Sequence, residues 1–226
     1  MQSQKPILSL PRAIWAVAEK DFRSEWRSRA AFNAVALFSL AAPVALGYAL
    51  ANLKLNAEVL GGLLWMVLFF ASMIGLPRAF VKEEESGTAT LLRLHYRSDA
   101  VLWGKAISQL ALLVSTQIAA IPLFLMLLNA RVMQPAPLLA ALILGDVGLS
   151  VASCILGAMA SQAKSRGALF PALAAPLMLP LLASLSVASG TAFGAGGDAW
   201  PPLKMVFAFD VALLAASWLL FEFVWE

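Results

Sequence analysis

The chain is poor in the residues from which disulfides, metal centres and catalytic sets are built. It has one cysteine, Cys154, and one histidine, His95, among 226 residues. One cysteine cannot form a disulfide within the chain, and these two residues cannot make a cysteine- or histidine-based metal cluster. The phosphate-binding pattern Gly-x-x-x-x-Gly-Lys-Ser/Thr is also absent, so the chain itself is not expected to hydrolyse ATP. We therefore expect no enzymatic activity, no resident metal and no directly bound cofactor.

Charge is scarce as well. Charged residues make up 13% of the chain and hydrophobic residues 61%, and the mean hydropathy is +0.82. A soluble domain carries about 25% charged residues, so the composition indicates an all-α integral membrane protein. A bilayer core of about 30 Å needs roughly 20 apolar residues per helix, so the chain has room for six spans and for no large soluble domain. We attribute the net charge of +3 to membrane topology and expect no nucleic-acid partner.

Two regions are predicted. Residues 1–30 form an amphipathic interfacial segment, because Trp15, Phe22 and Trp26 lie on one helical face while Lys20 and Arg23 lie on the other. Residues 31–226 form a single domain of six transmembrane helices. The spans are predicted at 31–53, 59–80, 105–128, 138–161, 168–188 and 203–225.

The distribution of positive charge predicts the orientation. Thirteen of the 16 lysines and arginines lie in the N-terminal segment, in the connection between spans two and three, or in the turn between spans four and five. These regions share one side of a six-span protein, and the positive-inside rule makes that side cytosolic. We therefore expect a multi-pass membrane protein, in contact with lipid and with both termini in the cytosol.

The connection from Arg78 to Lys105 is the most polar part of the chain. We expect one short helix within a cytosolic coupling segment, 81–99, because acids at its start and bases at its end suit the helix dipole. A stripe formed by Thr88, Leu91, Leu92 and His95 could dock into a groove on a partner, with the acids as a charged rim. The alternative is a solvated loop whose leucines dip into lipid. A lone histidine rarely ligates haem, so His95 is assigned to the stripe.

The sequence of this connection resembles a known family. The run from Phe80 to Leu92, which contains Glu-Glu-Glu-Ser-Gly-Thr, and the run from Arg97 to Gly104-Lys105 are similar to the haem exporter protein B family. That family provides the CcmB-type permease of the cytochrome c maturation ABC transporter, and the broader ABC type-2-like exporter permeases share a looser pattern. Ala89 and Thr90 stand where the family usually has an acid, which leaves a related exporter open.

The resemblance implies a permease subunit, present as a homodimer, that couples ATP hydrolysis by a separate CcmA-type ATPase to haem delivery or release on the periplasmic side. It also implies CcmC- and CcmD-type haem-handling partners, with haem as the substrate of the complex. The ATPase-coupling role falls on Glu83, Glu84, Glu85, Gly87, Thr88, Leu91 and Leu92. The alternatives are an exporter permease for a lipid, drug or glycan, and a membrane scaffold that does not transport.

Two acids, Asp146 and Asp210, lie inside predicted spans. An aspartate at the centre of a membrane helix costs about 2.5 to 3.5 kcal/mol on insertion scales, so each is a candidate for a substrate path or a subunit contact. The alternative is a hydrogen bond between helices, with a partner such as Ser150 or Asn33.

Overall fold

The computed structural model describes residues 9–75, 78–162 and 166–225. Within these residues every regular element is an α-helix. The helices are α1 (Leu10–Ser28), α2 (Ala30–Ala49), α3 (Ala57–Gly75), α4 (Arg78–Glu85), α5 (Thr88–His95), α6 (Ser98–Leu127), α7 (Pro135–Gln162), α8 (Arg166–Ala192) and α9 (Trp200–Trp225).

The prediction of an all-α integral membrane protein is confirmed. Five of the described helices are long and apolar enough to cross a membrane, namely α2, α3, α6, α7 and α9. The predicted span at 168–188 falls in α8, whose apolar stretch among the described residues is Pro176–Ala192. The side chains of 160–175 lie outside the description, so the count of six stays a prediction. The third span was predicted to begin at Lys105, but α6 begins seven residues earlier at Ser98.

The centre of the bundle is held by α3, α7, α8 and α9. Trp65 of α3 is fully buried, and its indole Nε1 donates a hydrogen bond of 2.8 Å to Ser189 Oγ of α8. The edge of the same ring lies against Gly145 of α7, where a Cβ would overlap it. These close approaches require small residues at the helix contacts, as is usual where helices pack inside membranes.

Helix α1 packs across α6 through small side chains. Ala13, Val17 and Ala18 are buried, and a Cβ added to Gly104 of α6 would lie 2.7 Å from the Val17 Cβ. The tryptophans of α1 are on the other side and exposed. The predicted N-terminal helix is therefore present, with alanine and valine facing the protein. Its position in the membrane interface, which the exposed tryptophans suit, stays a prediction.

The prediction of one helix in the connection between α3 and α6 is wrong. The connection holds two helices, α4 and α5, separated at Ser86 and Gly87. Gly87 has a φ of 71°, in the left-handed region that glycine adopts without strain. This conformation ends α4 and starts α5 in a new direction. The two helices, residues 78–95, therefore form an elbow.

A matched pair of glycines in α3 tests this packing. A Cβ at Gly61 would overlap the Ser186 carbonyl oxygen and lie 2.6 Å from the backbone nitrogen of Gly190, whereas a Cβ at Gly62 would meet nothing within 4 Å. We expect Gly61→Ala to destabilise the protein by about 1–3 kcal/mol, because the backbone of α8 cannot move aside easily. Gly62→Ala should be neutral or stabilising by up to about 1 kcal/mol through helix propensity.

The measurement is the thermal unfolding midpoint of each detergent-purified variant, followed by size-exclusion chromatography after heating. Equal midpoints for the two alanine variants would contradict the close contact between α3 and α8.

Candidate functional site

The elbow is anchored to the bundle by its inner face. Phe80 of α4 and Ala89 and Leu92 of α5 are buried in an apolar cluster with residues of α6, α7 and α9. Phe80 makes edge-to-face contacts with two rings of α9, at centroid distances of 6.3 Å to Phe221 and 5.9 Å to Trp225. The inner face therefore fixes the elbow against three helices of the bundle.

The outer face of α5 is apolar and exposed. Leu91 is 56% exposed and Leu94 is 63% exposed, although neither lies within a membrane-length helix. Thr88 and His95 are exposed on the same helix, and His95 Nδ1 lies 2.9 Å from the Leu91 carbonyl oxygen. The predicted docking stripe is thus divided: Leu92 faces inward with Ala89, whereas the other three residues are accessible.

The three consecutive acids have three different environments. Glu83 is buried, with 5% of its surface exposed. Glu84 is half-buried and forms an ion pair of 2.6 Å with Arg93 of α5. Glu85 is exposed. Of the predicted charged rim, only Glu85 is fully accessible, because Glu83 and Glu84 are used in contacts within the chain.

Glu83 belongs to a cluster of four charges, defined here as Lys20 and Asp21 of α1, Glu83 of α4 and Lys105 of α6. Lys105 Nζ lies 3.0 Å from Glu83 Oε1 and 3.3 Å from Asp21 Oδ2. Lys20 pairs with Glu83 and, at 3.1 Å, with Asp21. The side chain of Lys105 is fully buried, and its ammonium lies 4.7 Å from the centroid of the Phe80 ring. The four-charge cluster is balanced, so each buried charge has partners of the opposite sign.

The protonation of Lys20 fits this arrangement. Burial lowers the pKa of Lys20, but the charges of Asp21 and Glu83 and their hydrogen bonds raise it, and the net result is a pKa above the ordinary value. A raised pKa in the folded state means that the stabilisation is complete below the unfolded-state pKa of about 10.4. It is lost only as the pH rises through the folded-state value, so Lys20 stays charged at neutral pH.

A second set of contacts joins the elbow to the end of α9. Arg93 Nε donates a hydrogen bond of 2.7 Å to the Trp225 carbonyl oxygen, and the guanidinium lies 4.9 Å from the centroid of the Trp225 ring. Arg93 also donates to Glu84 at 2.6 Å. Sequence reasoning did not identify Arg93, Trp225 or the four-charge cluster as a site. The sequence places Lys105 at the start of a predicted span, where a lysine is ordinary, so no local signal indicates the cluster.

The two interior acids differ in their partners. Asp146 is buried and accepts a hydrogen bond of 2.6 Å from Gln117 Nε2 of α6, not from the expected Ser150. Asp210 is also buried, and among the described residues neither of its carboxylate oxygens has a hydrogen-bond partner. A Cβ added to Gly148 of α7 would lie 2.5 Å from Asp210 Oδ1. The two acids therefore make different contacts.

Comparison with known proteins gives one family. The family model described as "CcmB protein" matches residues 12–222. The curated heme exporter protein B of Rhodobacter capsulatus is 32% identical over 134 residues, which cover 57% of this chain and 60% of the relative. The chain thus matches less than two thirds of the length of that relative. No solved structure matches the chain.

Removal of the buried lysine tests the four-charge cluster. We expect Lys105→Met to destabilise the fold by about 3–5 kcal/mol, because it leaves the buried Glu83 and the half-buried Asp21 with Lys20 as their remaining cation in the cluster. Arg23→Ala is the matched control, because Arg23 forms an exposed ion pair of 2.5 Å with Glu19. An exposed pair contributes about 0–1 kcal/mol.

Thermal unfolding of the purified variants measures both effects. The double variant Lys105→Met with Glu83→Gln should recover part of the loss, because it removes opposite charges together. Similar midpoints for Lys105→Met and Arg23→Ala would show that the cluster does not hold the elbow.

Proposed function

The chain belongs to the CcmB protein family, and we propose that it is the permease subunit of an ABC transporter for haem in the maturation of c-type cytochromes. The name of its relative, heme exporter protein B, supports haem as the substrate of the complex. The sequence contains no phosphate-binding loop, which supports ATP hydrolysis in another chain. The proposed partner is accordingly a separate, CcmA-type ATPase.

The observation that carries the coupling role is the two-sided character of α5. Its inner residues, Ala89 and Leu92, are fixed in the bundle, while Leu91 and Leu94 present apolar surface outward. A short helix with exposed leucines fits a hydrophobic groove on a partner. Glu85 and His95 add polar groups beside these leucines. We assign α5 as the coupling helix that docks on the ATPase, with Gly87 and Thr88 setting its direction and start.

The contacts of the elbow determine which helices would be displaced by a force applied to α5. Through Arg93 it would reach the end of α9, where the arginine contacts both the ring and the carbonyl group of Trp225. Through α4 it would reach Glu83, which is paired with Lys20 of α1 and Lys105 of α6. A movement of the ATPase would therefore displace α1, α6 and α9 together, and not α5 alone.

The same assignment fixes the proposed orientation. ATP is available in the cytosol, so the elbow and α1 would face the cytosol and the turns at the other end of the bundle would face the periplasm. Both termini would be cytosolic in a bacterial inner membrane, as the distribution of lysine and arginine favours. The permease would work as a homodimer, with CcmC- and CcmD-type proteins as further members of the complex.

Substitution of Leu91 tests the docking of α5. We expect Leu91→Asp to reduce co-purification of the ATPase at least about tenfold, because it places a charge in an apolar contact. The yield of haem-stained c-type cytochromes in a complemented deletion strain should fall with it. The amount of folded permease should not change, because Leu91 is exposed.

Two further variants serve as controls. Leu53→Asp places the same charge on an exposed leucine in the turn between α2 and α3, at the other end of the bundle, and should leave ATPase association intact. Leu92→Asp should lower the amount of folded protein, because Leu92 is buried. Normal ATPase association in Leu91→Asp would refute the coupling role. Normal cytochrome maturation in the deletion strain would refute haem as the substrate while retaining the permease.

A further inference from the structure

A cleft of about 1440 Å³ lies between α1, the first turn of α2, the middle of α6 and the elbow. Small-molecule pockets are typically about 300–1,000 Å³, so this cleft exceeds what a small metabolite needs. It lies beside α1, the helix that is predicted to lie at the headgroups of a bilayer. The cleft is accordingly a candidate for a lipid-sized, amphipathic ligand.

The cleft has an apolar wall that follows two membrane helices. Helices α2 and α6 are close at the end far from the elbow, where a Cβ on Gly47 would lie 3.1 Å from the Leu127 Cβ. Toward the elbow, Phe32 of α2 and Leu112 of α6 line the cleft between the two helices. A space between membrane helices with such a lining suits an acyl chain, because burying it removes apolar surface from water.

The rim of the cleft is charged, and two of its cations contact neutral groups. The guanidinium of Arg29 lies 5.6 Å from the centroid of the Trp26 ring, and Lys82 Nζ donates a hydrogen bond of 2.7 Å to Ser24 Oγ. Lys20, by contrast, is engaged in the four-charge cluster. Arg29 and Lys82 are therefore the cations of the cleft that can neutralise an anionic ligand.

The backbone of Arg29 gives a second reason to consider its side chain. Arg29 is the junction between α1 and α2 and has a φ of 52°, in the left-handed region. This position favours glycine or asparagine, and other residues adopt it at a cost in backbone strain. Strained residues cluster at ligand-binding positions. Arg29 thus carries a long cationic side chain at a position whose backbone favours glycine, and that side chain lines the cleft.

We propose that this cleft binds a phospholipid, with its phosphate held by Arg29 and Lys82 and one acyl chain along Phe32 and Leu112. The charged lining of the cleft is mixed, with the carboxylates of Asp21, Glu25, Glu83 and Glu85 beside the cations of Lys20, Arg29 and Lys82. A mixed lining suits a zwitterionic headgroup, and Glu25 is the carboxylate assigned to its ammonium group. Phosphatidylethanolamine is a lipid that carries both charges. The site does not depend on which substrate the complex transports.

Native mass spectrometry of the purified protein tests the site. The protein is offered phosphatidylethanolamine, phosphatidylglycerol and diacylglycerol with identical acyl chains, and the lipid retained after activation is counted. We expect phosphatidylethanolamine to be retained most and diacylglycerol least, because diacylglycerol lacks the phosphate. Arg29→Gln and Lys82→Gln should each lower retention about tenfold, as expected for loss of a hydrogen bond to a charged group.

Matched variants separate lipid binding from folding. Arg27→Gln removes an exposed cation of α1 that does not line the cleft, and it should retain the lipid. Arg29→Gly suits the left-handed backbone, so it should lose the lipid while keeping the thermal midpoint of the parent or raising it. Arg29→Lys should keep the lipid, because it preserves the positive charge.

Several results would overturn the proposal. Retention of diacylglycerol equal to that of phosphatidylethanolamine would exclude recognition of the phosphate, and stronger retention of phosphatidylglycerol would exclude the ammonium contact. Parent-like retention by the double variant Arg29→Gln with Lys82→Gln would exclude the two cations. A photo-crosslinker placed at Asn33, which lines the cleft, should join a lipid in the intact complex; an adduct with a protein chain or with haem would show a different occupant.

Discussion

The burial of Lys105 is the constraint on which the arrangement of the elbow end depends. An ammonium group removed from water is stable only if carboxylates surround it, since the cost of desolvating it is several kcal/mol. Asp21 of α1 and Glu83 of α4 supply those carboxylates, and Lys20 balances the second negative charge. One buried lysine thus fixes two other helices, because neither α1 nor α4 can leave without stranding charge. Gly104, the residue before Lys105, allows the close approach of α1 that this pairing requires.

This constraint bears on the coupling role proposed for α5. A helix of eight residues is marginal by itself, so α5 needs its neighbours to hold its shape. Its inner face is fixed by Ala89 and Leu92, and its end is fixed by the contacts of Arg93 with Trp225. The outer face is left free for another chain. Because the restraints run to α1, α6 and α9, a force on α5 is distributed over the bundle and does not simply bend the elbow.

The sequence predicts the features that hydropathy alone determines, and it fails where tertiary contacts decide whether a residue is buried. Hydropathy alone predicts the long helices, because about 20 apolar residues have few alternatives in a bilayer. Hydropathy places the start of the third span at Lys105, whereas α6 starts at Ser98. Its ion pairs make Lys105 compatible with a position inside the helix.

Leu91 and Leu92 of α5 were predicted to lie on the same exposed face of one helix. The break at Gly87 sets the rotation of α5, and consecutive residues of a helix point about 100° apart. Which of the two leucines is buried depends on tertiary contacts that no local pattern contains.

The same limit applies to the two interior acids, which look equivalent in the sequence. Gln117 satisfies Asp146, so a hydrogen bond between α6 and α7 is a sufficient reason for that residue. Asp210 has no such partner among the described residues, and a buried carboxylate without donors is strongly unfavourable. A hydrogen-bond donor outside the described contacts would therefore be needed to satisfy it. Gly148 leaves room for the carboxylate against α7, so the position is built to hold the acid and not merely to tolerate it. Of the two aspartates, Asp210 is the one that the contacts among the described residues do not explain.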